Sequence, residues 1–231
     1  MIRVASYNIH KAVGTDNRRN PDRILAVLNE IQADVITLQE ADRRFGARMG
    51  VIPLHLLEEH SDYVHVPFDI RADSLGWHGN AILVRKSAEI LHREVIHIPA
   101  LEPRGAVMAD VKVNGVKIRV VGMHLDLSGL WRRRQARAIL ANLDACEVKY
   151  PTVMMGDLNE WSRQSGCLHD FARHYRFAAC GKSFHARRPV ATLDRIMIGE
   201  GLEIADAGTH HSPIARRASD HLPVWADLEA D

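Results

Sequence analysis

A chain of 231 residues with 46% hydrophobic and 26% charged side chains is composed like a folded globular domain and is long enough to bury a substantial core. With 30 Lys and Arg against 29 Asp and Glu, the formal charge is +1, so no global field draws the chain to nucleic acid or to anionic membrane, and any such preference must be local. The three cysteines, Cys146, Cys167 and Cys180, lack CxxC spacing and fit free thiols in a reducing compartment better than a disulfide framework.

The apolar runs stay short of the roughly 18 residues that a membrane-spanning helix needs. Residues Ile2–Tyr7 already read as a strand, so no signal peptide is expected ahead of the fold. The expectation is a cytoplasmic protein with a single domain over residues 1–231.

The first strand ends at Asn8-Ile9-His10-Lys11. Asn20-Pro21-Asp22 then opens a helix, with Asn20 as N-cap and Pro21 at the first helical position. Ile24, Leu25, Leu28 and Ile31 follow at helical spacing, and Asp34 to Glu40 reads as a buried strand with a polar end. The middle is richer in strands: Tyr63–Val66, Asn80–Val84, a less regular Glu89–Ile98, then Ala106–Val113 and Val116–Val121 around the hairpin signal Asn114-Gly115.

A long helix is expected from Leu130 to Val148, with Ala136, Leu140 and Leu143 facing inward and Arg132, Arg133 and Arg134 in its first turn. The apolar run Val153-Met154-Met155-Gly156 reads as a strand carrying Asp157 and Asn159 at its tip. By the period-2 alternation of a strand these two would point the same way. A helix around Leu168–His174 and strands at Thr192–Ile198 and Leu222–Leu228 complete the series, with a polar stretch at Thr209–Ser219. At least eight strands against three or four helices suits an α/β protein of two sheets with helices packed outside.

One pattern recurs along the chain: polar residues stand where apolar strands run out. Asn8, Glu40, His124 with Asp126, Asp157 with Asn159, Asp194, and Asp220-His221 all occupy such places. A single case is a solvated strand end. Six cases supplying carboxylates, carboxamides and imidazoles are a candidate site. Hard oxygen donors without thiolates suit Mg²⁺ or Mn²⁺, and the imidazoles provide acid–base groups near neutral pH.

The segments Ser6-Tyr7-Asn8-Ile9, Leu38-Gln39-Glu40, Gly156-Asp157-Leu158-Asn159, Leu193-Asp194-Arg195-Ile196 and Ser219-Asp220-His221-Leu222-Pro223-Val224 resemble, in order, the motifs of the endonuclease/exonuclease/phosphatase superfamily. The resemblance implies a deoxyribonuclease-like four-layer α/β sandwich, with two mainly antiparallel sheets packed face to face and helices outside, and metal-dependent cleavage of a phosphoester. It makes Glu40 the principal metal ligand, with Asn8 beside it and Asp220 helping to hold the metal. Asp157 would orient or deprotonate the attacking water, and Asn159 would hold that water or a phosphate oxygen. His221 would bind or protonate the phosphoryl group, oriented by Asp194. His124 would contact the phosphate and assist the leaving group, and Arg104 would face the phosphate.

His10 and Lys11 are candidates for substrate contact, weighed against an exposed loop. Trp161 is weighed between stacking on substrate and packing, and Asp126 is read as solvated. The phrases Tyr7–Lys11, Glu102–Ala106 and Arg133–Arg137 are similar to a small bacterial subgroup of the superfamily. The arginine clusters Arg18-Arg19, Arg43-Arg44, Arg132–Arg134, Arg187-Arg188 and Arg216-Arg217 favour an anionic substrate if they ring the pocket. Phosphodiester hydrolysis ranks ahead of monoester hydrolysis. Nucleic acid and anionic phospholipid both stay open as substrates, no obligate protein partner is evident, and a non-catalytic binding module is disfavoured because no residue of the core set is missing.

Overall fold

The computed structural model describes residues 1–43, 49–68, 74–162 and 164–230, so Arg44 of the Arg43-Arg44 pair lies outside the described residues. In chain order the elements are β1 (Ile2–Asn8), α1 (Pro21–Ile31), β2 (Val35–Gln39), α2 (Leu54–His60), β3 (Tyr63–His65), β4 (Ala81–Arg85), β5 (Glu89–Ile96), β6 (Gly105–Val113) and β7 (Val116–His124). Then follow α3 (Gly129–Ala145), β8 (Thr152–Asp157), α4 (Cys167–Phe171), β9 (Arg176–Phe177), β10 (Asp194–Ile198), β11 (Leu202–Thr209), α5 (Ala215–Ala218) and β12 (Val224–Ala230).

The strands form two six-stranded mixed sheets, ordered β11-β12-β1-β2-β4-β3 and β5-β6-β7-β8-β10-β9. Each has one parallel pair, β1 with β2 and β7 with β8, among antiparallel neighbours. The N-cap reading of Asn20 holds, since its side chain accepts the Arg23 N–H at 3.2 Å. So does the hairpin at Asn114-Gly115, whose φ angles of 51° and 85° are the two positive values that a type I′ turn requires.

Three apolar layers account for the unbroken hydrophobic runs. Between the sheets, Ile2, Val4 and Val35 of the first meet Val120, Val153, Met155, Ile196 and Ile198 of the second. The alternate residues of the same strands face outward under helices. Ala5, Tyr7, Ile36 and Leu38 pack with α1 residues Ile24 and Leu28, while Val121, Met123, Met154 and Met197 pack with α3 residues Ala136 and Ile139. Central strands buried on both faces need no polar alternation, and the order helix, sheet, sheet, helix is the expected four-layer sandwich.

Some elements differ from expectation. The helix read over Leu168–His174 is only Cys167–Phe171, and α3 ends at Ala145 rather than Val148. Leu140 is only partly buried, and the inner face of α3 includes Arg132, Gln135 and Ile139. Strand β11 was not expected. It lies at a sheet edge with one fully buried side chain and a register shift between Ile204 and Asp206, so its sequence lacks a hydrophobic period. The short helix α2 also went unread, and α5 occupies part of the stretch read as polar loop. No helix among the described residues is long and apolar enough to cross a membrane.

Candidate active site

The inter-sheet face explains why the polar strand ends converge. In β1 the row Ile2, Val4, Ser6 ends at Asn8; in β7 the row Ile118, Val120, Gly122 ends at His124; in β8 the row Val153, Met155 ends at Asp157. Strand β10 runs antiparallel to β8, which sets Asp194 opposite Asp157, and the parallel β7–β8 register sets His124 beside Asp157. The segment leading into β12 brings Asp220 and His221 to the end of β1, where Ser219 Oγ donates to the Asn8 carbonyl at 2.7 Å. At this one end of the sandwich, the apolar layer gives way to a polar cluster.

Asp157 is the hub, and it is 1% exposed. Its Oδ2 accepts a hydrogen bond from Asn8 Nδ2 at 2.9 Å and lies 3.4 Å from His124 Nε2 and 3.8 Å from His221 Nε2. Its Oδ1 accepts the Asn159 N–H at 2.9 Å. Burial opposes the charge on this carboxylate, but His221 and His124, with the Asn159 N–H, more than offset it and hold the pKa well below the usual carboxylate range.

His221 is oriented from behind: its Nδ1 is 2.8 Å from Asp194 Oδ2, which also accepts the Ser183 hydroxyl at 2.5 Å. Burial disfavours the imidazolium, yet Asp194 and Asp157 outweigh it and raise the His221 pKa from 6.5 to about 10. Burial in turn pushes the Asp194 carboxyl up, against the pull of His221.

Glu40 follows β2 in a left-handed conformation with φ 54°, and Gly79, at φ 82°, passes close enough that a Cβ there would sit 3.2 Å from the Glu40 Cα. The Lys11 ammonium rests on the Glu40 carboxylate. Burial opposes ionisation of Glu40, but His124, Lys11 and His10 outweigh it and keep its pKa below the usual value. A cleft lined by Lys11, Glu40, Asp42, Arg43, His78, Arg104 and His124 opens beside the hub. At its inner wall, Arg104 Nη1 lies 2.8 and 2.6 Å from the two ring nitrogens of His124.

All eleven residues singled out from the sequence belong to this region: Asn8, His10, Lys11, Glu40, Arg104, His124, Asp157, Asn159, Asp194, Asp220 and His221. His10 donates its N–H to Asn8 Oδ1 at 3.1 Å and sets its ring 3.7 Å from Asp220 Oδ1, and both it and Lys11 are half-buried.

The local geometry around Asn159 and Asp126 departs from expectation, and Trp161 falls outside one of the two readings weighed for it. Asn159 does not continue the face of Asp157: β8 stops at Asp157, Asn159 turns left-handed at φ 49°, and its Nδ2 donates to the Leu125 carbonyl at 2.9 Å. Asp126 is buried rather than solvated, accepting the Ser128 N–H at 2.9 Å. Trp161 is an exposed indole rather than a packed one.

Two features had no signature in the sequence. Ser183 buttresses Asp194 from eleven residues away. Arg132, at the start of α3, donates to Glu160 Oε2 and to the carbonyls of Asp126 and Leu127, tying together the segments that follow His124 and Asn159.

Of the metal-ligating side chains among the described residues, Asp157, Asp194 and His221 place ligand atoms within 4.8 Å of one another. The Nδ1 of His221 is already taken by Asp194, which makes this trio a hydrogen-bonded relay before it is a coordination sphere.

The chain is 27% identical to the uncharacterized protein YbhP of Escherichia coli strain K12 over 257 aligned residues, covering 98% of this chain and 96% of that one. In structure it resembles a mannosyl-6-phosphatase, Bt3783, of Bacteroides thetaiotaomicron (TM-score 0.75, 18% identity, 99% and 100% of the two chains). It also resembles D. rerio TDP2 complexed with a single-strand DNA product (TM-score 0.75, 16% identity, 99% of each chain). These two likenesses concern the fold. The family model for endonuclease/exonuclease/phosphatase proteins matches residues 5–221, and with the fold and the converging strand ends it shows that the chain belongs to the endonuclease/exonuclease/phosphatase family.

Proposed function

We propose that the chain is a divalent-metal-dependent phosphodiesterase, its residues 1–231 acting as one catalytic domain that hydrolyses a phosphodiester by in-line attack of water. The observation that supports this reading above others is the buried Asp157 carboxylate flanked by Asn8, His124 and His221, with His221 backed by Asp194. An anion held this far below its usual pKa is a weak proton acceptor at rest, so its first task is to aim a water by accepting its hydrogen bond. His221, protonated across neutral pH, offers positive charge and an Nε2 donor to a phosphoryl oxygen. As the water attacks phosphorus it gives up its proton to Asp157, the ester P–O bond breaks, and the departing oxygen is protonated by His124, beside which the Arg104 guanidinium lies. Asn159, locked to Leu125, steadies Asp157 through its backbone N–H.

Glu40, Asn8 and Asp220 would hold the cation, Mg²⁺ or Mn²⁺. Their oxygens are hard donors, Glu40 is ionised at neutral pH, and its carboxylate already carries the cation of Lys11. The buried thiols of Cys167 and Cys180, pushed up to about 12, stand apart from this set. When bound, the cation neutralises charge growing on the phosphoryl oxygens. The three free cysteines fit a reducing compartment, and we assign the reaction to the cytoplasm.

A second reading, phosphomonoester hydrolysis, draws on Lys11, Arg43 and Arg104 lining one cleft, a set of cations suited to a dianionic phosphate, and on the sugar phosphatase of like fold. A nuclease reading draws on the DNA-bound relative.

The test is turnover of bis-p-nitrophenyl phosphate, p-nitrophenyl phosphate and single-stranded DNA, before and after EDTA and with Mg²⁺ or Mn²⁺ restored. Chelator-sensitive cleavage of the diester is expected, with loss of about 10²-fold or more in Glu40→Ala, Asp157→Ala and His221→Ala. Full activity in any of the three variants rejects the role given to that residue, and preference for the monoester favours the second reading.

A further inference from the structure

Exposed apolar side chains gather along one rim of the site. Leu127 and Leu130, 61% and 60% exposed, follow His124; Trp161, 63% exposed, follows Asn159; Val190, 59% exposed, ends the loop that carries Phe184. The segments that carry them are joined. The Arg132 guanidinium touches both the Leu127 carbonyl and Glu160, bringing the first two segments together. The Trp161 ring stands edge-on to Phe184 at 6.0 Å between centroids, Phe184 lies 4.9 Å from the His221 ring, and the Val190 N–H donates to the Phe184 carbonyl at 2.7 Å. An exposed leucine alone is ordinary. Four large exposed apolar side chains on segments that meet beside one polar cluster are more than scattered surface residues.

Among the described residues, exposed arginines stand beside the patch. Arg187 and Arg188 are exposed on the Phe184–Val190 loop, and Arg134, one helical turn from Leu130, stacks over Trp131 at 5.0 Å. The neighbouring acids are neutralised or buried: Glu160 by Arg132, and Asp170 by Arg133 and Arg137. Trp161 alone could stack on a nucleobase, but the three aliphatic tips offer a base face nothing, whereas all four dissolve in acyl chains while arginines meet lipid phosphates at the headgroup level.

We infer that this rim is a membrane-docking surface, by which Leu127, Leu130, Trp161 and Val190 enter the interface of an anionic bilayer while Arg134, Arg187 and Arg188 contact its phosphates, presenting the catalytic cluster to phosphodiesters of the lipid headgroup layer. The docking stands on the surface itself. Only its catalytic meaning rests on the phosphodiesterase reading.

The test is co-sedimentation of the full chain with vesicles of phosphatidylcholine alone or of phosphatidylcholine with phosphatidylglycerol, at low and high salt. The wild type should bind the anionic vesicles and release as salt rises. The double variants Leu127→Ser/Leu130→Ser and Arg187→Glu/Arg188→Glu should each bind them at least about 10-fold more weakly, with soluble bis-p-nitrophenyl phosphate turnover unchanged. Absence of wild-type binding, equal binding to uncharged vesicles, or wild-type binding by either variant overturns the inference, as does loss of single-stranded DNA binding in the leucine variant without any vesicle binding by the wild type. Failure of the wild type to cleave the soluble diester with vesicle binding intact rejects the phosphodiesterase reading and leaves the docking surface standing.

Discussion

Replacing Arg132 by Met tests whether a buried ion pair holds the two loops beside the hub in place. The guanidinium side chain is 10% exposed and its partner Glu160 is 7% exposed. Nε and Nη2 donate to Glu160 Oε2 at 3.2 and 3.1 Å, and Nη1 donates to the carbonyls of Asp126 and Leu127 at 3.3 and 2.6 Å. Methionine fills much of the volume but leaves a carboxylate in a dry pocket, still served by the Ser162 N–H at 3.0 Å. Removing one member of such a pair costs about 3–5 kcal/mol, most of it the stranded charge. For a chain of this size that lowers the melting temperature by about 10 °C.

Adding Glu160→Gln to Arg132→Met removes the stranded charge and should recover about 2 kcal/mol, although it repairs neither carbonyl. Urea melts of the wild type, both single variants and the double variant close the cycle. If Arg132→Met costs less than about 1 kcal/mol, or the double variant is no more stable than Arg132→Met, the pair is not the clamp described and the loops are held by other contacts.

Two further outcomes follow from the geometry. His221 has a folded pKa raised to about 10, above its unfolded value, so the stability it contributes is complete below about pH 6.5 and is lost as pH rises through 10; the stability gap between wild type and His221→Asn should narrow over that window, and an imidazole nitrogen signal still protonated at pH 8 would be the direct sign, its absence the refutation. Gly156→Ala drives a Cβ to 1.9 Å from the Met123 carbonyl oxygen and should cost about 3 kcal/mol or more, whereas Gly115→Ala, at φ 85° with nothing within 4 Å, should cost only the roughly 1–2 kcal/mol of a left-handed alanine; equal costs in denaturant melts would remove the close approach of β7 and β8 as the reason for glycine at 156.

What was legible in the sequence follows from where the physics is local. Asn20 as a cap and Asn114-Gly115 as a turn depend on neighbours two or three residues away, and both read correctly. The central strands read as continuous apolar runs because each is buried on both faces, and the site residues stood out because a carboxylate or imidazole ending such a run has no packing role. What escaped depends on distant partners. Nothing around Ser183 announces Asp194, nor does anything around Arg132 announce Glu160, 28 residues on. The alternation that paired Asp157 with Asn159 assumed a strand two residues longer than β8 is, and the left-handed turn at Asn159 exchanged a shared face for a backbone hydrogen bond. Edge strand β11 buries only Leu202 fully, and the register shift after Ile204 breaks the alternation that would have announced it.

The Asn8–Asp157 hydrogen bond joins residues of different sheets. Asn8, Glu40 and Asp220 belong to the first sheet or its connections, and His124, Asp157 and Asp194 to the second. Neither half carries the full set, so a chain in which each sheet has formed but the two have not yet docked has no complete candidate site. The candidate site is therefore complete only when the sheets are docked, and the thickness of the apolar layer between them, set by residues such as Val120 and Val153, fixes the spacing of its two halves. A methyl group removed deep in that layer, far from any substrate, would be read at Asp157.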